Sequence, residues 1–137
     1  VSRKHLKEII DVTEVIYFDI KTMDSEKHRR FTGEGNELIL DNLVYLDEHF
    51  KGELVVRYPY IPDMNDSEKD IDSAVEFVEG LSSIQEMVFL PYHRLGLPKY
   101  RGLGREYYMG KRISSKKNDL YPLLERYKEK RLNIRIQ

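Results

Sequence analysis

Four residues of this sequence carry chemistry where a strand core has little use for it. Asp19 and Lys21 close the run VIYFDIK, Arg57 interrupts VVRYPYIP, and His93 follows FLPY. Each run is β-branched and aromatic, as buried strands are. Period-2 alternation puts Val15, Tyr17, Asp19 and Lys21 on one face of the first. In parallel α/β folds, sites form at the carboxyl ends of the strands. A carboxylate, an ammonium, a guanidinium and an imidazole meeting on one rim suit a polar ligand, anionic or zwitterionic.

The same residues admit plainer roles. Asp19 and Lys21 can pair within their own strand, or Arg57 can neutralise Asp19, since buried charges need partners. His93 can be an exposed residue of a Pro-Tyr-His turn. His5, His28 and His49 lie on polar helical stretches and read as surface or local capping residues; four scattered histidines lack metal-ligand spacing. Tyr92, Tyr100, Tyr107 and Tyr108 can line a flat ligand or simply pack. No phosphate loop and no nucleophile with its base is present, and RGLGRE follows a loop rather than a strand.

The elements that must position these groups alternate. SRKHLKEII reads as a short helix before the Val15–Ile20 strand. SEKHRRFTG reads as another, with Asp24 or Ser25 as cap and Gly33 as terminator. Ile39, Leu43, Leu46 and Phe50 form the apolar stripe of a longer helix. Ile71, Ala74, Val75, Val78 and Leu81 do the same after an Asp/Ser cap. A last helix is expected over Leu120–Arg131, with Pro122 tolerable only in its first turn, and NIRI as a short final strand. Alternating strands and helices imply βαβ units and a parallel sheet. A closed eightfold barrel needs about 250 residues, so 137 fit one α/β domain, either half a parallel (β/α) barrel or a small open sheet.

Bulk properties exclude several classes. A net charge of −1 argues against a nucleic-acid footprint, and the basic end KEKRLNIRIQ is short. No run approaches the ~18 apolar residues of a membrane span, and no signal peptide is visible, so the cytoplasm is the expected compartment. There is no cysteine, hence neither disulfide nor thiolate metal site within these residues. The sequence opens on Val1, which suggests a removed start or a piece of something longer.

The ordered set YFDIKTMDSEKHRRFTGEGNELILDNL, VVRYPYIPDMNDSEKDI and FLPYHRLGLPKYRGLGREY resembles the C-terminal half of the glycyl-radical-enzyme activating enzymes. Pyruvate formate-lyase activating enzyme is the best-known member of this radical S-adenosylmethionine family. The match runs from about Asp11 to Tyr107. The resemblance implies a partial (β/α) barrel with its cofactors at the strands' carboxyl ends. It implies S-adenosylmethionine bound on a four-iron four-sulfur cluster and cleaved to methionine and a 5′-deoxyadenosyl radical. That radical takes a hydrogen atom from a glycine of a partner such as pyruvate formate-lyase. The implied electron donor is a flavodoxin or ferredoxin.

Carried over residue by residue, the D-[IL]-K motif falls on Asp19, Ile20 and Lys21, the strand arginine on Arg57, and the PYH motif on His93. These belong to the implied S-adenosylmethionine pocket, with Asp19 also at a monovalent-cation site. The family's C-x3-C-x2-C motif is missing, so the resemblance implies an active parent protein and an inactive isolated chain. The alternative is a non-catalytic module that docks a glycyl radical enzyme; an unrelated hydrolase-like or sugar-phosphate barrel piece is disfavoured. Truncation would leave the first strand at a sheet edge, so an edge-to-edge dimer, or covering by the N-terminal helix, is expected.

Overall fold

Strands β1 (Val15–Asp19), β2 (Glu53–Tyr60), β3 (Glu86–Pro91) and β4 (Asn133–Ile136) form one sheet in the order β1-β2-β3-β4. All three pairings are parallel. The helices are α1 (Arg3–Ile10), α2 (Ser25–Thr32), α3 (Glu37–His49), α4 (Glu68–Glu79) and α5 (Lys117–Arg126). The computed structural model describes residues 1–92 and 116–137. This is the expected incomplete parallel α/β barrel.

Local chemistry sets the helix ends. The Asp24 carboxylate accepts the Lys27 N–H at 2.9 Å and opens α2. Gly33 closes it in the left-handed region at φ 91°. The Ser67 hydroxyl accepts from the Asp70 N–H and opens α4. The last helix departs from expectation: it starts at Lys117 rather than Leu120 and ends at Arg126 rather than Arg131. Its start is fixed by Asp119, whose carboxylate accepts the Lys116 N–H at 2.8 Å. Pro122 therefore sits beyond the first turn and gives up the bond to the Asn118 carbonyl. Fully buried Leu120 holds the helix down.

The two sheet faces carry different residues. Ile16, Phe18, Leu54, Val56, Tyr58, Met87, Phe89 and Ile136 join residues of α1, α3, α4 and α5 in one apolar core. The opposite face carries a row across all four strands, Asp19, Arg57, Val88 and Arg135, paired neighbour to neighbour. Period 2 thus resolves the oddity of a charged strand end: Asp19 shares a face with Tyr17, which is 58% exposed, and not with the core. Among the described residues β1 pairs only with β2. Leu6 of α1 enters the core beside β1, and Gly52 leaves room for the approach of β2 to Glu14, whose carbonyl would lie 2.2 Å from an added Cβ.

Candidate functional site at the strand ends

Asp19 and Arg57 are register partners at the carboxyl ends of β1 and β2. Arg57 Nε donates to Asp19 Oδ1 at 2.7 Å, with both side chains about one-third exposed, 34% and 33%. The guanidinium also lies over the Tyr17 ring, 5.4 Å from its centroid. Among the described residues no hydrogen bond reaches the two terminal nitrogens of Arg57. Two parallel N–H groups on a rigid plane are the geometry that grips a carboxylate in a fork.

Lys21 does not pair with Asp19; its strand has ended, and among the described residues nothing engages its ammonium. It lines a cleft of about 250 Å³ with Asp19, His28, Thr32, Glu34 and Ile39. The backbone here is strongly held. Ile20 N–H donates to the Arg57 carbonyl at 2.9 Å. The Lys21 carbonyl accepts from Asn65 Nδ2 at 2.7 Å, and the Thr22 carbonyl from Asn36 Nδ2 at 3.0 Å. The rim thus presents a guanidinium held to Asp19 through Nε, and a Lys21 ammonium that has no partner among the described residues.

His28 is not a surface residue. It is 4% exposed, with Nδ1 donating to the Glu34 carbonyl at 2.6 Å and Thr32 Oγ1 3.0 Å away. The α2 helix turns this side inward against the loop before α3, a fact hidden in the polar stretch SEKHRR. His5 and His49 do stay local: His5 Nδ1 meets Ser2 Oγ at 2.9 Å, and His49 Nδ1 donates to the Tyr45 carbonyl. His93, Tyr100, Tyr107 and Tyr108 lie outside the described residues. Tyr92 is described, buried with Ile61 and Met64. Among the described residues no cluster of three or more metal-ligating side chains occurs, and no helix is long and apolar enough to cross a membrane.

A second polar cluster ties α4 to α5. Arg126 donates to both carboxylate oxygens of Asp72, at 3.2 and 2.8 Å, and the Tyr127 hydroxyl donates to Asp72 Oδ1. The Arg126 bond and then the Tyr127 bond hold the Asp72 carboxyl below its ordinary value. Burial first, and then the bond to Asp72, push the Tyr127 phenol up to about 12. A phenol harder to ionise when folded stabilises the fold fully below its unfolded pKa of about 10. That contribution is lost as pH rises from 10 towards about 12. Tyr127→Phe is expected to flatten this alkaline loss, read as the urea midpoint against pH. Tyr58 and Tyr60, also raised by burial, account for what slope remains. Superposable curves for the two proteins would contradict the assignment.

No family model matches the chain. It is 42% identical over 105 residues to the (2S)-3-sulfopropanediol sulfolyase activating enzyme of Bilophila wadsworthia, a match covering 73% of this chain and 34% of that protein. It is 39% identical over 108 residues to the 4-hydroxyphenylacetate decarboxylase activating enzyme of Clostridioides difficile, covering 78% and 34%. The isethionate sulfite-lyase activating enzyme of Oleidesulfovibrio alaskensis is 38% identical over 110 residues, covering 80% and 35%. The matches thus span about a third of the length of these curated relatives. In fold, the chain is similar to a crystallised domain of a pyruvate-formate lyase-activating enzyme from Bacteroides vulgatus, with a TM-score of 0.77 and 24% identity. That likeness covers 99% of this chain and 74% of the other.

Proposed function

We propose, since this chain belongs to the glycyl-radical-enzyme activating enzymes, that it supplies one wall of an S-adenosylmethionine site in an oxidoreductase that installs a glycyl radical on a partner enzyme. The observation that carries this is the Asp19–Arg57 pair on the open face, beside the unengaged Lys21 ammonium. S-adenosylmethionine carries a carboxylate, an ammonium and a sulfonium, and the donor set fits each. Arg57 offers its terminal nitrogens to the carboxylate. Lys21 adds positive charge from the neighbouring strand end. Asp19 balances the ligand's cationic groups and can ligate a monovalent cation through oxygen. His93 is assigned to the same ligand through the PYH motif alone.

Bound there, S-adenosylmethionine and the cluster would supply the one-electron reductive chemistry that ends in hydrogen abstraction from the partner's glycine, while Arg57, Lys21 and Asp19 would hold the ligand's charged amino-acid end. The chain has no cysteine, so cluster thiolates have to come from outside these residues, and the chain alone is inactive. A flavodoxin or ferredoxin is the electron donor we assign, and the partner is a glycyl radical enzyme of the pyruvate formate-lyase type. The test uses the intact protein, loaded anaerobically with iron and sulfide, then mixed with S-adenosylmethionine, dithionite and a glycyl radical enzyme of the same organism. Formation of 5′-deoxyadenosine with a glycyl-radical doublet in the electron paramagnetic resonance spectrum is expected. Intact S-adenosylmethionine with no radical signal would overturn the reading.

A further inference from the structure

We infer that Asn65 and Asn36 form a two-amide clamp that positions the ligand wall of Asp19, Lys21 and Arg57, an inference that rests on the reading of that wall given above. Consecutive carbonyls after β1 are held by side chains from two different loops. Asn65, in the turn between β2 and α4, donates Nδ2 to the Lys21 carbonyl at 2.7 Å and to the Pro59 carbonyl at 2.6 Å. Its Oδ1 accepts the Ile61 N–H at 2.8 Å. Two carbonyls facing one end of the amide and an N–H facing the other fix its orientation without ambiguity. Asn36, at the start of α3, donates Nδ2 to the Thr22 carbonyl at 3.0 Å.

Both asparagines are buried, Asn65 at 0% and Asn36 at 3% exposure, and Thr22 lies buried between them. Asn65 is itself anchored, its backbone carbonyl accepting from the fully buried Tyr58 hydroxyl at 2.7 Å. Together with the Ile20 N–H bond to Arg57, the clamp registers the segment that carries Lys21 against the strand that carries Arg57. A pair of neutral amides does this without adding charge that competes with a zwitterionic ligand. Low-dielectric surroundings make each of these bonds costly to leave unmade. Both side chains are thus buried and give their amide donors to backbone carbonyls, so both act through the backbone.

The test measures S-adenosylmethionine affinity by anaerobic titration calorimetry on the cluster-loaded intact protein, together with Tm. Three variants are compared: Asn65→Ala, Asn36→Ser and Asn42→Ala. Serine suits the first position of a helix, so Asn36→Ser removes the reach to Thr22 while sparing α3. Asn42 is a control, a buried asparagine that donates to the Val1 carbonyl at 2.9 Å, away from the strand ends. The expected result is a Kd raised roughly tenfold by each clamp variant, with Asn42→Ala lowering Tm but leaving Kd unchanged. If Asn65→Ala does not fold, Asn36→Ser decides alone. Unchanged Kd in the folded clamp variants, or an equal rise in Asn42→Ala, overturns the clamp. Failure of the unsubstituted protein to bind overturns the ligand reading and the clamp's purpose with it.

Discussion

Arg57→Ala in the intact protein is expected to raise the Kd for S-adenosylmethionine roughly 30-fold, the low end for truncating one member of a hydrogen-bonded charge pair. The low end applies because both side chains are about one-third exposed, at 34% and 33%, and water screens part of the loss. Two effects add. The ligand carboxylate loses a fork of two N–H groups, and Asp19 loses the Nε donor at 2.7 Å that neutralises it. An unneutralised Asp19 then repels the same carboxylate. Arg57→Lys restores charge but neither the plane nor the Nε bond, so it is expected to recover only a small part. Adding Asp19→Asn to Arg57→Ala separates the effects, because it removes the repulsion and recovers some affinity. Full recovery of affinity in the double variant would show that Arg57 serves only to neutralise Asp19, and unchanged affinity in Arg57→Ala would overturn both effects.

The sequence allows that plainer role as readily as the ligand-binding one, and the reason is physical. Alternation along VIYFD and VVRYP places Asp19 and Arg57 on the face away from Phe18 and Val56. It does not say whether the pair uses all the donors of the guanidinium. Strand ends, the stripe of α3 and α4, and the caps Asp24 and Gly33 are legible because each depends on neighbours within a few residues. His28, Asn36 and Asn65 are not. Their burial comes from bonds to Glu34, Thr22 and Lys21, and asparagine in a turn looks the same whether it faces water or clamps a distant carbonyl. Pro122 misleads for a related reason. Proline marks a favoured first-turn position, but the start of α5 is set by the carboxylate of Asp119.

Phe89→Ala tests the other half of this argument, the claim that one face of the sheet carries the stability and the other the chemistry. Phe89 is fully buried in the core shared with the helices and meets Tyr58 at a centroid distance of 5.3 Å, tilted by 54°. Its truncation is expected to cost about 3–5 kcal/mol, out of a total of roughly 5–15 kcal/mol for a domain. Urea unfolding should therefore show a midpoint well below that of the unsubstituted protein. Val88 is the informative neighbour, one residue earlier and equally buried, but on the opposite face between Arg57 and Arg135. There the aliphatic stems of the arginines can cover it, and Val88→Ala removes only about 1.6 kcal/mol of transfer energy. Val88→Ala should then fold and yet weaken S-adenosylmethionine binding, because it removes the side chain of Arg57's register neighbour on that face. Equal destabilisation by the two substitutions would mean that both faces belong to one core, leaving no open face on which Arg57 and Lys21 could meet a ligand.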